Sequence, residues 1–396
     1  MKEFKELNIE KSILRVIEEE EGFESPTEIQ IKAIPDAIEG RDILAGSATG
    51  SGKTLAFGAS IIQNTKAGNG IQALILAPTR ELAQQVKDSL KKFSKYKKLV
   101  ITSVYGGMPI QRQFSRLKEA DIVVGTPGRI LDHIKRRTIK LNDVKTLVLD
   151  EADRMLDMGF KEDVERIMNT TPKDKQTMLF SATIDGMIAN LIQKYLKNPV
   201  KIEIDNKIDP KKLIQGYYDI TSKIKFSLLV HLLEKEKSGL VMVFCNTRHN
   251  TDFIAKNLTA LGIDAEAIHG GFTQKKRNNI LKKFHTQKVL TLVCTDVAAR
   301  GLDIPNVSHV YNYDIPTDPK DYVHRIGRTA RAGKEGKAIS ILVSRDHENF
   351  GRVLQEKNVD IPELETPQVE HAVIHYKTES RHSRGGRGSD NRRRRR

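Results

Sequence analysis

The sequence predicts an α/β fold with two tandem domains, each a mainly parallel sheet covered by helices on both faces. Short apolar runs alternate with helical patterns on either side of a polar stretch at Val200–Leu213, which contains Asp209-Pro210 and is typical of an interdomain linker. Buried parallel strands are usually continuous apolar runs, and helices usually connect them. The chain has 396 residues, which is enough for two such domains. We expect an N-terminal region at 1–32, a first domain at 33–203, a linker at 204–213, a second domain at 214–375 and a disordered basic tail at 376–396.

The predicted strands are short apolar runs with helical or turn patterns on both sides. In the first domain these runs are Ile43–Ala45, Ala73–Ala77, Leu99–Val104, Ile122–Val124, Leu147–Leu149 and Met178–Phe180. In the second domain they are Leu240–Phe244, Ala265–Ile268, Val289–Val293, His309–Tyr313 and Ala338–Val343.

Composition restricts the class of protein. Hydrophobic residues make up 38% of the chain and charged residues 30%, which is ordinary for a globular protein. The sequence has no run of about 18 apolar residues and no signal-peptide pattern, so we expect no membrane span and a cytoplasmic location. Cys245 and Cys294 lie far apart in apolar runs, which indicates buried thiols in a reducing compartment rather than a metal site. The formal net charge of +15 favours a polyanionic partner.

A glycine-containing stretch after the first predicted strand indicates a phosphate-binding loop. It reads Ser47-Ala48-Thr49-Gly50-Ser51-Gly52-Lys53-Thr54 and leads into a helical pattern. Glycines let backbone N–H groups turn toward an anion, while the lysine would reach the β and γ phosphates of a nucleotide and the threonine hydroxyl would bind Mg²⁺. Ser47 stands where the usual pattern has its first glycine. The alternative is an ordinary glycine turn that caps a helix.

Two carboxylates follow another predicted strand directly. Asp150 and Glu151 come after Leu147–Leu149, so they lie at the carboxyl end of a strand, where α/β sheets bind ligands. Asp150 would hold Mg²⁺, and Glu151 would polarise an attacking water molecule. An acidic cluster at a helix start is the simpler alternative, but together with Lys53 and Thr54 the pair indicates nucleoside triphosphate hydrolysis.

Three arginines recur every third residue in the second domain, at Arg325, Arg328 and Arg331. This spacing places them on one helix face. They are either a solvated surface face or a set that points across an interdomain cleft at the γ-phosphate. An arginine in that role raises hydrolysis rates by about 10³–10⁵ in other phosphoryl-transfer enzymes.

These motifs, in this order, resemble the DEAD-box ATP-dependent RNA helicases of helicase superfamily 2 from about Phe4 to Val343. The resemblance implies two RecA-like domains, and it makes 1–32 a Q-motif region. Gln30 would read N6 and N7 of adenine, and Phe4 would cover the base. Asp303 would contact the ATP ribose, and Arg328 and Arg331 the γ-phosphate. The implied nucleotide contacts are Ser47, Ala48, Thr49, Gly50, Ser51, Gly52, Lys53 and Thr54, with Mg²⁺ at Thr54 and Asp150 and a catalytic set of Lys53, Asp150, Glu151, His324, Arg328 and Arg331.

The resemblance also implies RNA contacts and coupling residues. Ser181 and Thr183 would link hydrolysis to unwinding through hydroxyl contacts with the Asp150–Asp153 motif, and His324 and Arg325 would couple the cleft to the same motifs. Gly271 stands where the family usually has an acidic residue. The RNA contacts implied in the first domain are Pro78, Thr79, Arg80, Gly106, Gly107, Thr126, Pro127, Gly128 and Arg129. Those in the second domain are Thr247, Arg248, Gly270, Gln274, Arg277, Thr295, Arg300 and Gly301.

The implied activity is RNA-stimulated ATP hydrolysis coupled to local unwinding of short duplexes or to RNP remodelling. The expected partner is RNA, single-stranded or in short duplexes and without sequence preference, with RNP or ribosomal partners and a monomeric core. Residues 377–396 contain nine Lys or Arg and two Asp or Glu, which predicts an electrostatic RNA anchor or else a solubilising tail. Two other functions stay open: an RNA chaperone that anneals strands mainly through this tail, and a DNA-directed helicase of the same superfamily.

Overall fold

The computed structural model describes residues 2–46, 51–184, 186–204, 212–235, 239–299, 304, 307–330, 335–357 and 361–374. These residues form two α/β domains, each with one sheet. No helix in this part of the chain is long and apolar enough to cross a membrane.

The first domain is built on a parallel sheet that has seven strands within the described residues. Their spatial order is β3-β4-β2-β5-β6-β1-β7, and every paired neighbour runs parallel. The six apolar runs predicted as strands are all strands, and a seventh strand follows them. Their bounds are β1 Ile43–Gly46, β2 Ala73–Leu76, β3 Ile101–Val104, β4 Ile122–Gly125, β5 Thr146–Leu149, β6 Gln176–Ser181 and β7 Val200–Glu203.

Helices cover both faces of this sheet. Alternate residues of one strand therefore enter different cores: Ile75 belongs to one apolar cluster, and its neighbours Leu74 and Leu76 belong to another. Burial on both faces explains why the strands read as continuous apolar runs. The helices are α1 Lys2–Lys5, α2 Lys11–Val16, α3 Glu28–Ile38, α4 Lys53–Asn64, α5 Arg80–Phe93, α6 Gln111–Lys118, α7 Pro127–Lys135, α8 Ala152–Asp157, α9 Lys161–Thr170 and α10 Gly186–Tyr195, with a π-helical segment at Ile17–Glu21.

The second domain repeats the strand order of the first domain. Its described strands are ordered β10-β11-β9-β12-β13-β8. Adding seven to each strand number of the first sheet gives this same order, except that β7 has no counterpart among the described strands. All of its paired neighbours are parallel. The strands are β8 Leu213–Asp219, β9 Leu240–Phe244, β10 Ala265–Ile268, β11 Thr291–Cys294, β12 Val307–Asn312 and β13 Gly336–Leu342. The helices are α11 Lys225–Lys235, α12 Arg248–Ala260, α13 Gln274–His285, α14 Asp296–Ala299, α15 Pro319–Ile326 and α16 His347–Lys357, with a 3₁₀ turn at Ser344–Asp346.

The stretch Val200–Leu213, predicted to be a linker, contains strand residues at both ends. β7 pairs with β1, with Ile43 opposite Val200, and Leu213 begins β8. The sequence analysis predicted neither strand, because both are edge strands with mixed burial and neither is a continuous apolar run. Residues 205–211 of this stretch lie outside the described residues. The domain boundaries themselves stay predictions.

The N-terminal region packs into the core of the first domain. Phe4, Ile13 and Ile17 are fully buried in the same apolar cluster as Ile29 of α3. The four glutamates at 18–21 are partly neutralised by neighbouring cations: Lys92, in the last turn of α5, pairs with Glu21, and Lys95, just after that helix, pairs with Glu20. The region is therefore an integral part of the first domain.

Residues 362–364, within a segment at 361–374 that has no helix, pair with the outer edge of the second sheet. The Tyr217 N–H donates to the Pro362 carbonyl (3.0 Å), and the Leu364 N–H donates to the Tyr217 carbonyl (2.7 Å). Leu364 lies over Gly216, where an added Cβ would come within 2.7 Å of Leu364 Cδ1. The segment thus covers the outer edge of β8. The predicted basic tail at 376–396 lies outside the described residues.

The Gly125→Ala substitution tests how tightly the carboxyl end of β4 is packed. An added Cβ would lie 2.6 Å from Ile130 Cδ1 and 2.7 Å from the Val104 carbonyl oxygen, and the carbonyl is backbone that cannot move independently. We expect a loss of about 1–3 kcal/mol in the free energy of unfolding. Thermal and urea unfolding measure it, with Gly186→Ala as control because no atom lies within 4 Å of its added Cβ. Equal stability of the two variants would contradict the close approach.

Candidate active site

Three neighbouring strands end at the centre of the first sheet's carboxyl edge. β5, β6 and β1 are adjacent, and their ends lead to Asp150, to Ser181 and to the glycine-containing loop before Lys53. Side chains that follow parallel strands meet at this edge, which is where α/β sheets bind ligands. The predicted catalytic lysine and carboxylates are therefore brought together.

Lys53 is buried against both carboxylates. Its Nζ lies 3.1 Å from Asp150 Oδ1 and 3.9 Å from Glu151 Oε1. Burial alone would lower the pKa of Lys53, but the negative charges of Asp150 and Glu151 outweigh it, so the pKa is raised. Burial raises the pKa of Asp150, while the Lys53 ammonium opposes that shift. Lys53 therefore stays protonated, as a phosphate-binding lysine must.

Asp150 has the features of a cation ligand. Both of its carboxylate oxygens are buried, and within the described residues neither has a hydrogen-bond donor in good geometry. Buried polar atoms normally have partners, so these oxygens have capacity for a further ligand. The half-buried Thr54 is the second residue of α4, directly after Lys53. A carboxylate and a hydroxyl are oxygen donors of the kind that hard divalent cations prefer.

Gln30 is bonded to the phosphate loop. Its Nε2 donates to the Gly52 carbonyl (3.1 Å), its Oε1 accepts from the Thr27 N–H (3.0 Å), and the Thr27 hydroxyl donates to the Ser51 carbonyl (2.8 Å). Gly52 has a φ of 90°, and a Cβ there would lie 2.5 Å from Gln30 Nε2, so only glycine fits. The Phe4 ring has no exposed surface, so a base could reach it only if the ring moved. Adenine recognition by Gln30 and Phe4 stays a prediction.

Asp153, in α8 directly after β5, connects that helix to the segment that follows β6. Its Oδ2 accepts hydrogen bonds from the N–H of Ala182 (3.1 Å), the N–H of Thr183 (3.1 Å) and the hydroxyl of Thr183 (3.3 Å). The expected hydroxyl contact with the Asp150–Asp153 motif is thus made by Thr183. The Ser181 hydroxyl instead donates to the Thr183 carbonyl (2.6 Å) and so shapes the loop itself.

The predicted RNA-contacting residues of the first domain form one surface at β2, β3 and β4. Thr79 caps α5 by accepting from the Leu82 N–H (3.2 Å), and Arg80 begins that helix. The Arg80 guanidinium lies against Gly107, where a Cβ would come within 1.9 Å of its Nη1. Thr126 directly precedes α7, and Pro127, Gly128 and Arg129 form its first turn.

The second domain repeats this arrangement. Thr247 caps α12 by accepting from the Asn250 N–H (3.1 Å), and Arg248 begins the helix and lies beside Gly270. The N–H of Gly271 donates to His269 Nδ1 (3.1 Å), and a Cβ at Gly271 would lie 3.0 Å from that atom. Thr295 follows β11 and is buried. Contacts of all these residues with RNA stay predictions.

Gln274 and Arg277, predicted to contact RNA, are bonded to the first domain. Gln274 Nε2 donates to Glu81 Oε1 (2.8 Å), and Arg277 Nη1 lies 2.9 Å from the same oxygen. Burial lowers the pKa of Arg277, against the opposing charge of Glu81. The sequence interpretation missed Glu81, although it directly follows Arg80, because a partner 193 residues away has no local signal.

Arg325 is bonded within the second domain, and its coupling role stays a prediction. Its Nε and Nη2 donate to the two carboxylate oxygens of Asp296 (2.6 and 2.7 Å), and Nη2 also donates to Asn246 Oδ1 (2.9 Å). Its Nη1 donates to the Asp314 carbonyl (2.5 Å) and to Asn312 Oδ1 (3.4 Å). The guanidinium is thus saturated by the second domain, so Arg325 joins three strand ends of its own domain rather than contacting the Asp150–Asp153 or Ser181–Thr183 segments.

His324 and Arg328 lie beside Arg325. With Asp296, Phe244 and Ala299 they line a void of about 10 Å³, and Arg328 is almost fully buried. Their catalytic roles stay predictions. The remaining predicted site residues lie outside the described residues: Ser47, Ala48, Thr49, Gly50, Arg300, Gly301, Asp303 and Arg331.

Two α/β domains with parallel sheets, a buried lysine–carboxylate group and arginine-bearing loops are the features of a two-domain protein with a candidate nucleotide-phosphate site at a sheet edge. Residues 27–191 match the DEAD/DEAH box helicase family model, and residues 224–333 match the helicase conserved C-terminal domain. The chain belongs to the DEAD-box helicase family.

Two relatives and two solved structures illustrate the similarity. The ATP-dependent RNA helicase CshA of Listeria monocytogenes is 47% identical over 359 residues, which is 90% of this chain and 69% of the relative. CshA of Bacillus cereus is 43% identical over 376 residues, or 94% of this chain and 71% of the relative. S. cerevisiae Dbp5 bound to RNA and ADP BeF3 matches with TM-score 0.83 at 31% identity, over 92% of this chain and 96% of that one. A DEAD box protein from Methanococcus jannaschii matches with TM-score 0.58 at 44% identity, over 92% and 99%.

The Glu81→Ala substitution tests the interdomain contact. It would leave Arg277 buried without its carboxylate partner, and removal of one member of a buried pair typically costs about 3–5 kcal/mol. We expect weaker association of the two domains and a lower RNA-stimulated ATPase rate, with unchanged ATP binding by the first domain. Fluorescence energy transfer between dyes on the two domains measures the association. Unaltered transfer in the variant would contradict the contact, and Gln274→Ala, which removes only a neutral donor, should have the smaller effect.

Proposed function

We propose that this chain is an ATP-dependent RNA helicase that couples RNA-stimulated ATP hydrolysis to local unwinding of short RNA duplexes or to RNP remodelling. The observation that carries the proposal is the buried group of Lys53, Asp150 and Glu151. A protonated lysine ion-paired with a buried carboxylate that has capacity for a further ligand suits a nucleotide phosphate with a divalent cation. The family and its CshA relatives, named ATP-dependent RNA helicases, supply the substrate class.

Thr54 and Asp150 would hold Mg²⁺, which when bound neutralises phosphate charge. The fit rests on Asp150, whose buried carboxylate is ion-paired with Lys53 but has no hydrogen bond of good geometry among the described residues. In the proposed mechanism Lys53 binds the β and γ phosphates, and Glu151 orients the attacking water. Glu151 has a left-handed backbone conformation, with a φ of 53°, so its side chain leaves the strand end at a constrained angle. Arg328 and Arg331 of the second domain would stabilise charge on the γ-phosphate when the domains close.

RNA would bind across the two repeated loop surfaces, at Arg80 and Arg129 in the first domain and Arg248 in the second. Arginines and helix N-termini hold backbone phosphates without reading bases. Dbp5, whose arrangement this chain shares, was solved with RNA and an ADP–BeF3 complex, which supports simultaneous binding of both ligands. The contact of Glu81 with Gln274 and Arg277 supports coupling, because Glu81 follows the predicted RNA contact Arg80 on the same helix.

We further propose a cytoplasmic location and RNP or ribosomal partners. The two cysteines, Cys245 and Cys294, are free and buried, and burial raises the pKa of both thiols. Such unreactive thiols suit a reducing compartment.

The ATPase rate measured with single-stranded RNA, overhang duplex RNA, matching DNA or no nucleic acid tests the function. We expect strong stimulation by RNA alone, with separation of short duplexes.

The Lys53→Ala and Glu151→Gln variants test the active site. Each should abolish hydrolysis, because they remove the phosphate-binding cation and the water-orienting carboxylate, and circular dichroism should show the fold retained. Wild-type turnover by either variant would refute the site. In the comparison of nucleic acids, equal stimulation by DNA would favour the DNA-directed helicase, and annealing without hydrolysis would favour the RNA chaperone.

Deletion of the residues after Tyr376 tests the basic tail. We expect weaker RNA binding with a shallower dependence on salt concentration, since fewer counterions are released, and unchanged ATP affinity. Fluorescence anisotropy of labelled RNA over a salt series measures both effects. RNA binding equal to that of the full chain would leave the tail with a solubilising role.

A further inference from the structure

We propose that Gln113 and His133 are positioning residues that hold two predicted RNA-binding loops in a fixed relation. One loop is Tyr105–Met108, which contains Gly106 and Gly107; the other is the start of α7 with Arg129. The inference rests on the proposed function, because it concerns how these loops are presented to RNA. Neither residue belongs to the motifs discussed above.

Gln113 touches both loops from a buried position on α6. Its side chain is 2% exposed. Nε2 donates to the Tyr105 carbonyl (3.0 Å), and Oε1 accepts from Arg129 Nη1 (3.2 Å). Arg129 Nη1 also donates to the Met108 carbonyl (3.1 Å). The loop is therefore bonded at both ends, at Tyr105 through Gln113 and at Met108 through Arg129.

His133 fixes the orientation of Gln113. It is fully buried, and its Nε2 lies 2.9 Å from Gln113 Oε1 while Nδ1 lies 2.8 Å from the Thr138 hydroxyl. Because Gln113 uses its amide N–H on a carbonyl, Oε1 is the acceptor and His133 Nε2 carries the proton. Burial, together with the charge of Arg129, lowers the pKa of His133 to about 4, so the ring is neutral near pH 7. A neutral ring donates to Gln113 without adding a second positive charge beside Arg129.

The same loop also packs against Arg80. Its guanidinium lies so close to Gly106 and Gly107 that an added Cβ at Gly107 would come within 1.9 Å of Arg80 Nη1. Displacement of the Tyr105–Met108 loop would therefore displace Arg80 as well as release Arg129. One buried amide thus sets the relative positions of two cationic side chains that are predicted to bind RNA phosphates.

The chain provides a matched control in Gln72. It is 3% exposed and also has three hydrogen bonds: Nε2 donates to the carbonyls of Lys66 (2.7 Å) and Gly70 (3.2 Å), and Oε1 accepts from the Lys66 N–H (3.1 Å). Gln72 lies at the opposite, amino edge of the same sheet, directly before β2. Its loss should affect stability as the loss of Gln113 does, but without displacing the RNA-binding loops.

The experiment compares Gln113→Met with Gln72→Met in the full chain; methionine keeps the volume and removes the hydrogen bonds. We expect Gln113→Met to raise the RNA concentration for half-maximal ATPase stimulation about tenfold. The KM for ATP at saturating RNA should be unchanged, and the thermal midpoint should fall by a similar amount in both variants. In a chain that already carries Arg129→Lys, Gln113→Met should raise the RNA requirement by a smaller factor than it does in the wild-type chain, since both substitutions break the same contact. Hydrogen exchange at residues 105–108 should accelerate only in Gln113→Met.

Three results would overturn the inference. An equal rise in the RNA requirement of both variants would mean general destabilisation, and an unchanged RNA requirement in Gln113→Met would mean that the contacts do not position the loops. Either result leaves the proposed function standing, because wild-type RNA stimulation is measured in the same assay. A wild-type enzyme that ignores RNA would instead overturn the proposed function and this inference with it.

Discussion

The buried group of Lys53, Asp150 and Glu151 is the interaction on which the rest of the site depends. Placing an unpaired charge in a protein interior costs several kcal/mol, so each of these ions needs a partner. Lys53 supplies a partner to both carboxylates. A bound phosphate would give Lys53 another negative partner, and the cation would give Asp150 another positive one. Ligand binding would therefore exchange charge partners within a site that is already assembled. Asp153, three residues after Asp150, then connects the site to Thr183 at the end of the neighbouring strand.

The repeated strand order places a related lysine in the second domain, where it has a different use. Lys225 begins α11 after β8, just as Lys53 begins α4 after β1. Its Nζ lies 2.9 Å from Asp346 Oδ2 and 3.9 Å from Asp314 Oδ1. Asp314 also accepts from the N–H of Asn246 (3.0 Å), so this lysine supports the strand ends that hold Arg325. One copy of the fold thus keeps a lysine–carboxylate pair with ligand capacity, while the other uses its pair for internal support.

The sequence predicted the parts of the fold and site that are local. The strands that are buried on both faces were found as apolar runs, and the carboxylates after Leu149 were placed correctly at a strand end. β7 and β8 were missed because an edge strand needs no continuous apolar pattern. The partners of Glu81 and Arg325 were missed for another reason. Those of Glu81 are in the second domain, and those of Arg325 follow strands that are distant in the sequence, so no spacing rule connects them. The motif residues could therefore be predicted from the sequence, but the buried hydrogen bonds and ion pairs that orient them could not.

Arg80 and Glu81 are neighbours at the start of α5, so a predicted RNA contact and an observed contact between the domains share one structural element. Arg80 faces the glycine loop predicted to bind RNA, and Glu81 bonds Gln274 and Arg277 of the second domain. A ligand that fixes this helix start therefore favours the associated domains, and association must by linkage strengthen the binding of that ligand. The same association would bring Arg328 and Arg331 toward the nucleotide. RNA bound at the predicted contact Arg80 would thus accelerate hydrolysis without touching the phosphates, because the same helix start contacts the second domain through Glu81.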